Sequence, residues 1–230
     1  MYLAKYKMKI QEVTGIDSDT EENQYKIGGG DDVLIPKWTE LISRECRSAL
    51  HYYKMAHRVL YRGTKRERSI AYAGTSRPNR SPQDMRLLDH DRIEELLHRA
   101  GYQARRTNSI FASPLSSVAS EYGQVYVVFP SDAASITWNK AYSDLYTDLT
   151  SRARRDRTDY TEFDAKLNAA IDTKDAMTCL RTAVELGFVE DRLEEALRSM
   201  HEVYISGPYY ALKDSTMLAN GVLRNLGLLV

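Results

Sequence analysis

Apolar and polar positions change period repeatedly along this chain, from alternation or continuous apolar runs to spacings near 3.6, so short strands and amphipathic helices should interleave. Val125-Tyr126-Val127-Val128-Phe129 is nearly all apolar, as in a strand covered on both faces. Strands are predicted over 58–61, 108–112, 124–129, 135–138, 202–206 and 209–212. Pro36 suits a helix start, and Leu41, Ile42, Leu50 and Tyr53 carry that helix to about residue 56. Ser81 as cap, Pro82 in the first position and Gly101 after the last apolar residue frame a second helix. Further helices are expected over 159–171, 173–186, 190–200 and 215–226, and residues 63–80 read as a polar loop. The fold class is therefore α+β, with a helical insertion over 141–200 before the last strand pair.

Organisation follows from punctuation. Gly28-Gly29-Gly30 reads as a joint, so residues 1–32, which are rich in Asp and Glu, are expected to form an acidic arm before a main domain at 33–230. With 230 residues and 43% apolar content, one sizeable core can be buried. Lys plus Arg equal Asp plus Glu at 32 each, so no global basic field points to nucleic acid. Local basic runs at 65–80 and 152–157 are expected to be solvated. Cys46 and Cys179 fall in helical patterns with no CxxC or ligand spacing, which predicts reduced structural thiols and no metal. No signal peptide or membrane-length apolar run is read from the sequence. Sixteen tyrosines against four phenylalanines suggest either a half-wet groove or edge-of-core packing.

The candidate chemistry lies where three distant strands give out. Arg62 ends Val59-Leu60-Tyr61-Arg62-Gly63, where a guanidinium could hold a pyrophosphate and Gly63 could let backbone approach it. The plainer alternative is a salt-bridged Arg at a turn. In Ser109-Ile110-Phe111-Ala112-Ser113, alternation puts Ser109, Phe111 and Ser113 on one face; buried hydroxyls there would want a partner such as a carboxylate. A wet edge strand is the alternative. Glu202 opens Glu202-Val203-Tyr204-Ile205-Ser206, where a carboxylate could stabilise an oxocarbenium-like ribose or simply be solvated. Cation, hydroxyls and carboxylate in that order suit the splitting of a dinucleotide such as NAD. The histidines make no metal pair, and no GxGxxG, P-loop or GxSxG element occurs.

Leu60-Tyr61-Arg62-Gly63, then Phe111-Ala112-Ser113 with Ala119-x-x-Tyr122, then Glu202-Val203-Tyr204-Ile205 resembles the Arg–Ser–Glu arrangement of mono-ADP-ribosyltransferases. More narrowly, residues 58–147 and 201–212 are similar to ADP-ribosyltransferase-like proteins of tailed bacteriophages. The resemblance implies a split β-sandwich around an NAD cleft, with flanking helices. It implies that Arg62 binds phosphate and ribose, with Gly63, Phe111 and Tyr122 beside the cofactor. Ser113 would be the family's first strand serine, with Ser109 as the other candidate, and Glu202 the catalytic carboxylate. Two departures stand out: Pro114 and Leu115 replace the usual Thr and Ser, and Met200 replaces the polar residue two before the Glu that helps activate an arginine acceptor. The expected activity is transfer of ADP-ribose from NAD to a host protein or, as the other candidate, nucleic acid. The alternative is a catalytically inactive protein of the same fold that binds other phage proteins in the virion. The expected location is the infected host's cytoplasm or the virion, with no membrane partner.

Overall fold

The computed structural model describes residues 31–65, 69–78, 87–143, 145 and 157–229. The triglycine joint, the expected helix start at 81–82 and nearly all of the basic run at 152–157 lie outside those residues. The first half of the described chain runs α1 (Asp31–Glu45), α2 (Arg47–Ala56), β1 (Leu60–Thr64), β2 (Ala71–Thr75), α3 (Leu87–Arg99), β3 (Ile110–Ala112), α4 (Ser116–Ser120) and β4 (Gln124–Pro130). The second half runs β5 (Ser135–Asn139), α5 (Arg157–Thr173), α6 (Ala176–Glu185), β6 (Phe188–Glu190), α7 (Leu193–Ser199), β7 (Val203–Ser206), β8 (Pro208–Lys213) and α8 (Met217–Asn225). The protein is mixed α+β, with two four-stranded antiparallel sheets ordered β1-β4-β8-β2 and β3-β7-β5-β6.

Several boundaries differ from those expected. The first helix begins at Asp31 rather than Pro36, because Leu34 adds a turn to the stripe Leu34, Trp38, Leu41, Ile42 that is buried against the first sheet. That burial outweighs the one helical N–H that Pro36 cannot supply. The expected single helix also breaks at Cys46. There the backbone N–H of Asp132 donates to the Glu45 carbonyl (2.7 Å), and the Asp132 carboxylate accepts from the Ser48 N–H (2.8 Å). One residue from the loop after β4 thus closes the end of α1 and caps the start of α2. The region expected to be a polar loop contains β2, whose Ala71-Tyr72-Ala73-Gly74 was too short and too rich in small residues to show a period. Likewise β6 is a three-residue strand inside the region expected to be helical, held to β5 by Thr137↔Glu190 through Asn139↔Phe188.

Helices form two cores. On the first sheet, α1, α2 and α8 bury Trp38 edge-on to Tyr210 (6.2 Å between centroids) and Tyr53 against Phe129 (5.8 Å). On the second, α3, α5 and α6 bury Ile93, Leu96, Leu97, Phe163, Leu167, Cys179 and Ala183 together with Phe188 and Tyr204. Both cysteines are free and buried inside these cores. Among the described residues no helix is long and apolar enough to cross a membrane.

Replacing the remote cap, Asp132→Ala, is expected to lower stability by about 1 kcal/mol, the usual worth of a helix cap. Urea denaturation should show a lower midpoint at unchanged slope; an unchanged midpoint would show that the cap is dispensable.

Candidate functional site

The two sheets meet edge to edge at one residue pair. Tyr61 of β1 and Ser113, just past β3, exchange two backbone hydrogen bonds, Tyr61 N–H to Ser113 O at 2.7 Å and Ser113 N–H to Tyr61 O at 2.8 Å. On its other side β3 pairs with β7, in the register Phe111↔Tyr204 and Ala112↔Val203. One step further along that ladder stand Ser113 and Glu202. Tyr61, Ser113 and Glu202 therefore occupy successive strands across about 10 Å, two strand spacings, with Arg62 the next residue along β1. Three residues separated by some fifty and ninety positions in sequence are brought to one junction.

Each residue singled out in the sequence has a definite environment. Arg62 is half-buried; its Nη1 donates to the Tyr209 hydroxyl at 2.7 Å, and its guanidinium lies 5.7 Å from that ring's centre. By strand alternation it leaves β1 on the face opposite Tyr61, toward the layer formed by Tyr72, Tyr126 and Tyr209. The space a side chain on Gly63 would fill is taken: a Cβ there would stand 1.8 Å from the Ala119 carbonyl oxygen and 2.8 Å from the Tyr122 Cβ. The glycine thus lets α4 press onto β1 and places Tyr122, 38% exposed, beside it. Ser113 is 6% exposed, and its Oγ accepts the Leu115 N–H at 3.1 Å. Ser109 is fully buried at the other end of β3, where its Oγ donates to Asn108 Oδ1 at 3.3 Å, away from the junction. Phe111 packs against Tyr204 across the ladder, 5.0 Å between centroids.

Glu202 is half-buried at the mouth of β7, and its N–H donates to the Ser143 carbonyl at 2.8 Å. The loop supplying that carbonyl is shaped by Asn139, whose Oδ1 accepts from the N–H groups of Ala141 (2.8 Å) and Tyr142 (3.1 Å). His201 secures the same corner: its Nδ1 lies 2.6 Å from the Asn139 carbonyl, so Nδ1 carries the proton, and its ring meets Trp138 edge-on. Met200 closes α7 in a left-handed conformation (φ 63°), with 38% of its surface exposed.

Two groups next to this site were not singled out in the sequence. Arg106 is 5% exposed, lies 4.9 Å from the centre of the Phe111 ring and 5.4 Å from that of Tyr204, and donates to the Tyr204 hydroxyl at 2.7 Å. It braces the Phe111↔Tyr204 couple, two residues along the strands from Ser113 and Glu202. Arg106 stands in a run of polar residues, 105–109, and only tertiary packing distinguishes it from its exposed neighbours. Tyr209, the partner of Arg62, had a weak signal in the tyrosine excess. Among the described residues seven tyrosines are buried, and several use the hydroxyl as a tether: Tyr53 to the Val128 carbonyl, Tyr102 to the Phe188 carbonyl, Tyr204 to Arg106 and Tyr209 to Arg62.

The segment that aims Arg106 inward is held by Glu94 of α3. Its carboxylate accepts from Arg105 Nε (2.8 Å) and from the Thr107 N–H (3.0 Å). Burial pushes the Glu94 carboxyl up, but the hydrogen bonds from Arg105 and Thr107 together outweigh it and leave the pKa below the ordinary 4.5. Among the described residues no group of three or more His, Cys, Asp or Glu side chains is placed to hold a metal ion. No family model, curated protein or solved structure matches the chain.

Because the folded-state pKa of Glu94 is lowered, its contribution is fully present above the unfolded value and is lost as pH falls through the folded one. Glu94→Gln should cost about 1.5–3 kcal/mol at neutral pH, the range for hydrogen bonds to a charged group. The gap from the unmodified protein should narrow as pH drops below 4.5. Chemical denaturation at pH 7 and pH 3.5 checks this; a gap that stays constant with pH would contradict it.

Proposed function

We propose that this chain is a mono-ADP-ribosyltransferase that consumes NAD, with Glu202 as the charge-stabilising carboxylate, Ser113 orienting it and Arg62 holding the pyrophosphate. The observation that carries the reading is the junction: Ser113 and Glu202 lie next to Tyr61 where the two sheets part, and Arg62 is the next residue of β1, with its side chain on the other face. An extended dinucleotide would reach round that edge, with its pyrophosphate on the Arg62 face and its nicotinamide ribose against Glu202. Arg62 is suited to this: among the described residues it has no carboxylate partner, and it engages one of its five N–H donors. The fold would then be the split β-sandwich of that family.

In this reading the bond between ribose C1′ and the nicotinamide nitrogen breaks, and its electron pair leaves with nicotinamide. Positive charge grows on the ribose in the transition state, and a preorganised carboxylate lowers that barrier more than it stabilises bound NAD. The acceptor's nucleophile, on a host protein or nucleic acid, then takes C1′ and loses its proton. Met200 stands where a polar residue would help activate an arginine, which disfavours arginine as the acceptor and leaves water as a competitor.

A second reading, a binding protein without chemistry that docks other phage proteins, draws on α6. Met177, Leu180 and Val184 recur at helical spacing and are exposed on one face.

Nicotinamide release from NAD by the purified protein, alone and with bacterial lysate, separates the two. Release is expected, and Glu202→Gln should reduce it about 100-fold or more while NAD binding stays close to that of the unmodified protein. Release that survives the substitution would overturn the mechanism; no release in either condition would favour the binding reading.

A further inference from the structure

We propose that Tyr209 is a positioning residue whose hydroxyl aims the Arg62 guanidinium at the phosphates of the bound dinucleotide. The inference rests on the reading of Arg62 given above and adds the group that makes that arginine competent.

The geometry assembles the contact from three strands of the first sheet. Arg62 comes from β1 and Tyr209 from β8; β2 makes room for the tyrosine ring. In the β2–β8 ladder Gly74 stands opposite Tyr209, and a Cβ on Gly74 would lie 2.6 Å from the Tyr209 Cζ and 2.7 Å from its hydroxyl oxygen. With any larger residue at 74 the ring would have to move from where its oxygen accepts the Arg62 Nη1. Tyr72 closes the other side of the ring edge-on, 6.1 Å between centroids, and is itself packed against Tyr126. The ring is 3% exposed, whereas Arg62 is half-buried, so a fixed hydroxyl beneath meets an accessible guanidinium above.

A free arginine side chain loses considerable rotamer freedom when it grips an anion in one geometry. A neutral acceptor that anchors one N–H reduces that loss without cancelling the charge. An Asp or Glu in the place of Tyr209 would anchor it equally well but would compete with the phosphate. The tyrosine hydroxyl does the first and not the second. The expected signature is therefore on binding: Tyr209 acts through Arg62 on the affinity for NAD and leaves the bond-breaking step at Glu202 alone.

The test is NAD binding by calorimetry and steady-state nicotinamide release on the full chain, with Tyr209→Phe, Arg62→Gln and the double variant. Tyr209→Phe keeps the ring and removes the acceptor. It should raise Kd and KM for NAD roughly 3- to 10-fold, the factor that one hydrogen bond commonly carries, with kcat within about twofold of the unmodified protein. Arg62→Gln should weaken binding further, and the double variant should bind no more weakly than Arg62→Gln alone, since the two groups act as one. Additive losses in the double variant, a kcat loss matching the KM change, or unchanged Kd in Tyr209→Phe beside a weakened Arg62→Gln would overturn the positioning role. That last pattern would leave the NAD reading intact. Absence of NAD binding by the unmodified protein would instead bring down the reading itself. Melting curves on each variant separate unfolding from a local effect; if Tyr209→Phe does not fold, the smaller Tyr209→Leu, which also lacks the acceptor, carries the same expectations of raised KM and unchanged kcat.

Discussion

The architecture turns on the two hydrogen bonds between Tyr61 and Ser113. They are the whole of the ladder between the edge strands β1 and β3 among the described residues. The structure shows why the pairing stops there. Leu115, whose N–H would make the next rung, gives it to the Ser113 Oγ instead, and Gly63, two residues along β1, turns its open side to α4 rather than to another strand. A one-residue slip at this pair would move Ser113 and Phe111 to the opposite face of β3 and set Ala112 against Tyr61. Placing Ser113 beside Tyr61 is thus a matter of register, and the register is fixed from both sides: by the core under β1 and β4, and by the Phe111↔Tyr204 couple in the second sheet.

That couple is held by polar contacts as well as by packing. Tyrosine gives nearly the burial of phenylalanine but brings a hydroxyl that must find a partner in a dry interior. Here the hydroxyls of Tyr53, Tyr102, Tyr204 and Tyr209 reach strand carbonyls or guanidinium groups, so the aromatic cores are tied to particular strands. Arg106 works in the same way from the other side, lying against both Phe111 and Tyr204. An interior built on such directional contacts specifies one register more sharply than aliphatic packing would.

Most of the fold was legible in the sequence because its helices and longer strands carry clear periods. The apolar run at 125–129 is a strand buried through its centre, and Asp159 onward is helical as its spacing suggests. The misses were of two physical kinds. The strands β2 and β6, five and three residues long, contain too few apolar positions to define a period, and their identity comes from the partners β8 and β5. The break at Cys46 is imposed by Asp132, more than eighty residues away, which no local pattern records. At the site, Arg62, Ser113 and Glu202 could be marked because each interrupts an apolar strand. Ser109 interrupts one equally well but lies at the end of β3 away from the junction, a distinction that only the sheet order supplies. Arg106 and Gly74 carry no local signal of their contacts, and Tyr209 carries only the tyrosine excess, because those contacts exist only across strands.

Several other arginines keep different company from Arg62, although Arg106 too donates to a tyrosine hydroxyl. Arg92 pairs with Asp164, Arg99 with Glu95, and Arg105 with Glu94, each within 2.9 Å. These are the ordinary solution for a cation that is partly withdrawn from water. Arg62 is withdrawn to a similar degree, yet among the described residues its partner is a neutral hydroxyl. Leaving a guanidinium in that state forgoes the ion pair that would stabilise the free protein, and proteins tend to break such a local rule where a ligand completes it. A fold of this kind does not by itself dictate chemistry. A cation with a neutral partner one residue from the seam, with a carboxylate two strands across, is a departure from structural economy that packing alone does not require.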